Sequence, residues 1–240
     1  MNSQSIAPPQ SLEVMKRSPY FLGWDDQRLA RLARGSRLTA YRKGEELVHK
    51  GDTLRDLQIV IQGQVRVALR LPNGTERVIE LVGRGESFGE ACLVEDTPTP
   101  YHVIANVNSR LLAIDGGALI AEMQRDPAFC FQMLKRVSKR LLGMLTDTEV
   151  CAQRSGTQRV ACFLMRHKPD HASESFVFEL PASKRDVAAK IGLAPETFSR
   201  VLARLRQQGA IRVQGRRIEI KRSQVLMDLL PRNAIPPAAA

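Results

Sequence analysis

The sequence predicts an α+β protein with an antiparallel β-domain first, a long helix next and a winged helix-turn-helix last. Three observations support this prediction. Residues 38–114 alternate short runs of β-forming residues with glycine turns, residues 127–154 contain no internal proline and one glycine, and residues 183–222 combine a two-helix pattern with a hairpin pattern. The order of these patterns gives the order of the predicted parts.

The chain has 240 residues, of which 43% are hydrophobic, so it can bury a full core. We predict a flexible arm at 1–19, a β-domain at 20–126 that opens with a helix at 24–34, a helix at 127–154, a DNA-binding domain at 155–230 and a disordered tail at 231–240. No signal-peptide core and no run of eighteen apolar residues is present in the sequence. The sequence therefore predicts a cytoplasmic protein with no membrane partner.

The β-domain prediction rests on runs such as residues 57–61, 64–69 and 77–81, which are rich in Val, Ile and Leu. Glycines separate the runs at roughly strand-length intervals, among them Gly63, Gly74 and Gly85. Short strands with glycine turns are typical of an antiparallel barrel or sandwich.

The helix at 127–154 carries an apolar row whose members alternate steps of four and three residues, which is the spacing of a coiled-coil seam. This row predicts a homodimer interface, although a helix that is apolar on two sides can also be buried within one chain. A second row through Phe131, Leu142 and Leu145 is expected to face the β-domain. The predicted dimer interface consists of Cys130, Leu134, Val137, Leu141, Met144, Thr148 and Cys151.

Residues 183–209 indicate two short helices joined by a tight turn. Ser183 suits an N-cap, Gly192 suits the turn after the first helix, and Pro195 suits the first position of the second helix. Residues 210–222 then predict a β-hairpin with its turn at Gln214 and Gly215. A plain helical hairpin with a solvated face is the alternative, and the following hairpin favours the winged helix-turn-helix.

Positive charge is concentrated in the same segment. Residues 181–222 contain eleven Lys or Arg and three Asp or Glu, so they carry most of the formal net charge of +11. Concentrated positive charge is typical of a protein that binds the phosphates of double-stranded DNA. Binding to a membrane surface is the competing use of a basic patch, but it favours one long amphipathic helix over a segment rich in turns.

Several motifs resemble those of the Crp/Fnr family of bacterial transcription regulators. They are K-G-E at 43–45, I-Q-G-Q-V at 61–65, G-E-S-F-G-E at 85–90 and, most specifically, P-E-T-F-S-R at 195–200. The resemblance covers roughly residues 20–225. It implies a jelly-roll domain of the cyclic-nucleotide-binding type (a β-roll), a dimerisation helix, an effector that shifts the pose of the DNA-binding domains, and contact with RNA polymerase, for which the loop at 169–175 is a candidate.

In the fumarate–nitrate branch of this family, Glu, Ser and Arg at the positions of Glu196, Ser199 and Arg200 read a half-site resembling TTGAT. These side chains suit the bases of that half-site, because Arg pairs with guanine and a carboxylate accepts a hydrogen bond from cytosine. Glu196 also suits the first turn of a helix, and Arg200 can alternatively contact phosphate alone. The predicted DNA-contacting residues are Glu196, Thr197, Ser199, Arg200, Lys184, Arg185 and Arg204.

The resemblance also bears on the effector. Members that answer to cyclic AMP carry an Arg-Ser pair where this chain has Pro100 and Tyr101, and a buried phosphate needs a cationic partner. Cyclic AMP is therefore not expected, and Gly89 and Glu90 serve either the pocket or the fold alone. The predicted pocket comprises Gly89, Glu90, Pro100, Tyr101, His102, Leu141, Met144 and Leu145.

No N-terminal cysteine cluster is present, because the first cysteine is Cys92, so an iron–sulfur cluster is not expected. The motifs D-T-P at 96–98 and P-E-T-F-S-R at 195–200 resemble the nitric-oxide-responsive denitrification (Dnr-type) branch, which implies haem b in the effector domain. The side chains that could ligate its iron are His49, His102, His167, His171, Cys92 and Met144, with His102 preferred and a hydrogen-bonded or exposed role for it left open.

Two other kinds of regulator remain alternatives, whereas an enzyme does not. A thiol-redox switch could use Cys92, or Cys130 with Cys151, and a cyclic-nucleotide-responsive regulator is a further alternative. The sequence contains no nucleophile motif, metal-ligand cluster or phosphate-binding loop of the kind enzymes use, so an enzyme is not expected.

Overall fold

A computed structural model describes residues 8–18, 20–72, 74–153, 155–169 and 174–230. The chain divides into two compact units, residues 1–139 and 140–240, and the division falls within the long helix α5. The elements of the first part of the chain are α1 (Pro8–Lys16), α2 (Asp26–Ala33), β1 (Arg37–Tyr41), β2 (Glu46–Val48), β3 (Asp56–Gln62), β4 (Gln64–Arg70), β5 (Glu76–Gly83), β6 (Ser87–Phe88), α3 (Glu90–Glu95), β7 (His102–Ala105), β8 (Ser109–Asp115), α4 (Gly116–Arg125) and α5 (Pro127–Gln153).

The strands of the first unit form two antiparallel sheets, with strand orders β1-β8-β3-β6 and β2-β7-β4-β5. Valines dominate the cluster between the sheets, to which both contribute: Val60 of β3 and Leu111 of β8 from one, Val67 of β4 and Val103 of β7 from the other. The α+β class with an antiparallel β-roll is confirmed.

The outer face of the first sheet is also apolar, since Ile59 and Leu112 point away from the valine cluster. Helices α1, α2 and α4 and the start of α5 cover this face. Strands of this sheet are therefore apolar on both faces, as the continuous hydrophobic runs in the sequence require.

Two sequence predictions are wrong in this unit. The predicted flexible arm contains helix α1, whose Met15 is fully buried against Tyr20 and Phe21, because Pro8 suits a helix start and the apolar side chains that follow reach the core. Phe131 was expected to face the β-domain but is 56% exposed. Phe129 and Met133 pack on the sheet instead.

The second unit contains the winged helix-turn-helix that the sequence predicted. Its further elements are α6 (Gly156–Met165), β9 (Phe176–Glu179), α7 (Lys184–Lys190), α8 (Pro195–Gln207), β10 (Ile211–Gln214), β11 (Arg217–Ile220) and α9 (Ser223–Met227). Strands β10, β11 and β9 form one antiparallel sheet in that order, in which β10 and β11 are the predicted hairpin. The predicted tail at 231–240 and most of the loop at 169–175 lie outside the described residues.

Candidate DNA-binding surface and effector domain

Helices α7 and α8 form a helix-turn-helix whose turn is fixed by local chemistry. The Ser183 hydroxyl caps α7 by accepting from the Asp186 N–H at 3.1 Å. Gly192 follows α7 with φ of +67°, which a side chain would disfavour, and the Leu193 N–H then donates to the Ala188 carbonyl at 2.9 Å. Pro195 occupies the first position of α8, as predicted.

Helix α8 has one buried and one exposed side. Phe198, Val201, Leu202 and Leu205 are buried and hold the helix against its unit. The predicted base-reading residues are on the other side: Glu196, Ser199 and Arg200 are exposed, and Thr197 is half-buried. The Arg200 Nη2 lies 3.4 Å from the Thr197 hydroxyl, so Thr197 steadies the guanidinium without pairing its charge. This exposed side has the donors and acceptors that read base edges in a major groove.

The remaining predicted DNA contacts are distributed around this motif. Arg185 is exposed and Lys184 half-buried on the first turn of α7. Arg204 is exposed but also borders a cavity of about 260 Å³ shared with Ser155 of the α6 N-terminus. Arg204 is therefore placed at the flank of α8, where a phosphate contact suits it better than a base contact.

The wing, which is the hairpin of β10 and β11, carries several arginines. Counting them in the sequence does not show which of them already have a counter-charge. Arg216, in the turn between β10 and β11, donates two hydrogen bonds to the Glu179 carboxylate, at 2.7 and 3.1 Å. Arg212 and Arg217 on the same hairpin are exposed. The exposed pair is the better candidate for phosphate contacts, because Arg216 already has a counter-charge.

Asp147, in the C-terminal half of α5, is a contributor that the sequence analysis missed. Its carboxylate pairs with Arg166 at the end of α6 and, at 3.0 Å, with Lys190 at the end of α7. We call these three residues the Asp147 clasp. The clasp joins α5 to the first helix of the helix-turn-helix, and an acidic residue in a long helix carries no sequence signal for such a role.

The predicted dimer row is largely open on the surface of α5. Leu134 is 57% exposed, Leu141 56% and Val137 38%. Thr148 is exposed, Cys130 and Met144 are half-buried, and the side chain of Cys151 lies outside the described residues. Leu142 and Leu145 of the second row are exposed as well. A helix that exposes this many leucines has an apolar face without a partner in the single chain.

The predicted effector residues of the first unit have unequal environments. Gly89 begins α3 with φ of +100°, and the Glu90 carboxylate is buried and accepts a hydrogen bond from the Ser87 hydroxyl. Ser87 is also hydrogen-bonded to the Tyr20 hydroxyl, and the Arg136 guanidinium lies 3.7 Å from the centre of the Tyr20 ring. Gly89 and Glu90 thus have contacts within the fold, and a role of theirs in a pocket stays a prediction.

His102 does not face the interior of the β-roll. Tyr101 and Val103 pack against the valine cluster, whereas the His102 ring lies on the opposite side, with Nδ1 2.6 Å from Glu46 Oε1. Burial would raise the pKa of Glu46, but hydrogen bonds from Arg70 and His102 outweigh it and lower that pKa. Glu46 is therefore ionised at neutral pH and accepts a hydrogen bond from the His102 ring. Pro100 is exposed.

The other predicted iron ligands lie in unequal environments. Cys92 is buried beside the Tyr101 hydroxyl at 3.7 Å, His49 is exposed, and His167 is stacked on Phe178 in the second unit. His171 lies outside the described residues. Among the side chains that the structure describes, no group of three His, Cys, Asp or Glu could hold a metal ion. Haem ligation by His102, whose Nδ1 is hydrogen-bonded to Glu46, stays a prediction.

The pocket residues Leu141, Met144 and Leu145 belong to the second unit. Their assembly with Tyr101 into one pocket stays a prediction. No helix within the described ranges is both long and apolar enough to cross a membrane.

Comparisons with known proteins agree with this two-part organisation. Residues 38–126 match the family model of the cyclic nucleotide-binding domain, and residues 158–229 match that of the Crp-like helix-turn-helix domain. The cyclic AMP receptor protein of Thermus thermophilus is 25% identical over 215 residues, which are 90% of this chain and 98% of that protein.

A second relative is the nitrogen fixation regulation protein FixK of Rhizobium meliloti. It is 27% identical over 232 residues, which are 95% of this chain and 99% of that protein. Among solved structures, FixK2 from Bradyrhizobium japonicum is 24% identical and superposes with a TM-score of 0.69 over 85% of this chain and 99% of that one, a likeness that shows the fold.

Fold, site and comparisons together define a regulator with an effector-binding domain followed by a DNA-binding domain. The chain belongs to the Crp/Fnr family of transcription regulators. Regulators of this family bind DNA, form dimers and contact RNA polymerase, and the relatives are regulators and not enzymes. The sequence expectation that the chain is no enzyme is thereby confirmed.

Proposed function

We propose that this chain acts as a homodimer that reads a palindromic DNA site of the type TTGAT-N4-ATCAA under the control of an effector in the β-roll. The observation that carries the proposal is the exposed side of α8, where Glu196, Ser199 and Arg200 stand together on a helix whose opposite side is buried. A guanidinium that meets guanine bidentately can discriminate that base by about 1–3 kcal/mol.

Substitution of Arg200 tests base reading. Arg200→Ala is expected to abolish the preference for the TTGAT palindrome over a scrambled duplex, while phosphate binding by the rest of the unit persists. Fluorescence anisotropy with both duplexes at one salt concentration measures the preference as a ratio of Kd values.

Arg206→Ala is the matched control for this substitution. Arg206 is exposed and lies six residues further along α8, so it points to a different side of the helix. It is expected to weaken both complexes to a similar extent and to keep their ratio. A ratio unchanged by Arg200→Ala would remove Arg200 as a base-reading residue.

The dimer part of the proposal is supported by the exposed leucines of α5. Burial of a leucine side chain contributes about 1.5–3 kcal/mol, so several such residues on two helices can hold a dimer. Leu134→Glu places charge in the row and is expected to shift the protein towards monomer in analytical ultracentrifugation. Gln132→Glu is the control, because Gln132 is exposed on the same helix but outside the row.

The match of residues 38–126 to the cyclic nucleotide-binding domain supports control by an effector. The proposal does not specify which molecule the effector is. The chain lacks the Arg-Ser pair expected for cyclic AMP, and among the described residues no contact of His102 beyond its hydrogen bond to Glu46 points to haem. Nitric-oxide sensing through haem therefore stays a sequence prediction and contributes no step to this proposal. Mixing the purified protein with haemin and recording the Soret band tests it, and a spectrum identical to that of free haemin would dispose of it.

A further inference from the structure

The first unit contains a cleft of about 760 Å³ at one end of the sheet that begins with β1. Its floor follows from strand register: Gln62 on β3, Arg110 on β8 and Ala40 on β1 stand side by side across three strands. Because Ala40 ends in a single carbon, the row leaves open space beside Arg110. The volume lies in the range of small-molecule pockets, which is about 300–1,000 Å³.

The charges in the cleft are unbalanced. Arg42 and Arg110 both line it, and neither guanidinium has a hydrogen-bond or ion-pair partner among the residues that the structure describes. Other arginines of this unit have a carboxylate partner, as Arg37 has in Asp56 and Arg66 in Glu76. Two exposed cations on one cleft repel each other and gain from a shared anion.

Two of the acceptors that line the cleft already have a backbone donor. The Glu45 carboxylate, the acid in the lining, accepts from the Arg42 backbone N–H at 2.8 Å. The Asn108 side-chain oxygen accepts from the Lys43 N–H at 2.9 Å, which directs its amide nitrogen away from that contact as a donor. The lining thus holds two guanidinium groups and one carboxylate, so the cleft suits an anion.

We propose that the cleft between Arg42 and Arg110 binds the phosphate group of a small molecule. Guanidinium forks pair bidentately with phosphate oxygens, and two forks with an amide donor match a group that has several acceptor oxygens. The cleft is formed by residues of the first unit alone and does not include the exposed side of α8. It goes beyond the proposed reading of DNA and does not depend on it.

Isothermal titration of the full-length protein with inorganic pyrophosphate at 0.15 M salt tests the site. Wild-type protein is expected to bind, and Arg110→Gln and Arg42→Gln are each expected to weaken this binding at least tenfold. Arg84→Gln is the matched control, because Arg84 is an exposed arginine of the same unit that does not line the cleft. Thermal unfolding of each variant checks that the fold is kept.

The outcomes separate this site from the DNA-binding surface. Equal pyrophosphate affinity of wild type and Arg110→Gln would place the anion elsewhere and overturn the proposal, as would the absence of binding to wild type. Tighter binding of succinate than of pyrophosphate would overturn the assignment to phosphate. The Arg200→Ala variant is expected to bind pyrophosphate like wild type, so a failure of DNA reading leaves this test intact.

Discussion

Glu122 illustrates how a single residue organises the first unit. Its carboxylate is 2% exposed and accepts from Arg28 and Arg31, each at 3.0 Å, and from Arg125 at 3.3 Å. Burial would raise the pKa of this carboxyl, but the hydrogen bonds from Arg31 and Arg28 outweigh burial and lower that pKa. The Arg28 guanidinium also lies 3.4 Å from the Trp24 ring centre, so Glu122 links α4 to α2 and its aromatic neighbours.

Removing this charge leaves the largely buried Arg28 with Asp126 as its remaining carboxylate partner, at 2.7 Å, and takes the carboxylate away from Arg31. Glu122→Gln is expected to lower the free energy of unfolding of the first unit by about 2 kcal/mol. Trp24 is the single tryptophan of the chain, so its fluorescence in urea follows this unit. The control Glu13→Gln removes an exposed carboxylate 3.9 Å from Lys16. It is expected to change the free energy of unfolding by less than about 1 kcal/mol. Equal changes in the free energy of unfolding for Glu122→Gln and Glu13→Gln would contradict the role assigned to the burial of Glu122.

His167 makes the second unit sensitive to acid. Its ring is stacked on Phe178 at 4.4 Å and packs on Phe163, and burial lowers the pKa of His167. The unfolded chain takes up a proton at this side chain near pH 6.5, before the folded chain does. The stability that neutral His167 contributes is therefore present above that pH and is lost as the pH falls towards the lowered folded value.

Calorimetry of wild type and His167→Phe at pH 7.5 and 5.5 checks this sign. The variant keeps an aromatic ring but cannot be protonated at this position. Its unfolding temperature is therefore expected to fall less from pH 7.5 to pH 5.5 than that of wild type. An identical fall in both proteins would assign the pH dependence to other groups.

At the scale of elements, the Asp147 clasp holds the end of α5 to α6 and α7. Asp147→Asn removes the charge that pairs with Arg166 and Lys190 and is expected to lower the stability of the second unit by about 1–2 kcal/mol. The preference between specific and scrambled DNA should survive, because α8 keeps its exposed side. Circular dichroism in urea and the DNA titration measure the two quantities.

Asp228→Asn is the control for the clasp. Asp228 is exposed and accepts a hydrogen bond from Gln224, which the amide oxygen of Asn can also accept. Little change is expected in either quantity. Lost DNA selectivity with unchanged stability in Asp147→Asn would mean that the clasp positions α8 on DNA and does not stabilise the unit.

Elements with a periodic apolar pattern or a clear turn signal could be predicted from the sequence, and two helices without such a signal could not. Helices α5 and α8 are where periodicity and Pro195 placed them. Helices α3 and α4 escaped prediction, since elements of six and ten residues depend on burial against strands that the sequence does not locate. The exposed side of α8 was predictable because its buried residues repeat at helical spacing.

The orientation of His102 was not predictable for a different reason. All four residues of β7 are buried, so the strand lacks the alternation of polar and apolar residues that would reveal which side faces the interior. Similarly, Phe129 and Phe131 are both aromatic, and only packing shows that Phe129 is the one that meets the sheet.

At the scale of the whole molecule, each unit has its own core and its own ligand chemistry. The first unit offers an apolar β-roll and a cationic cleft, and the second offers an exposed reading helix with a basic wing. We expect the exposed row on α5 to bring two chains together, so that two copies of α8 can meet successive major grooves of a palindromic site.

The central claim is that paired chains read both halves of a symmetric site. The most direct measurement is sedimentation of the wild-type protein with a labelled TTGAT-N4-ATCAA duplex and with a duplex in which one half-site is scrambled. We predict two chains per palindromic duplex and an affinity at least tenfold higher than for the half-scrambled duplex. One chain per duplex with equal affinity for both would contradict the account.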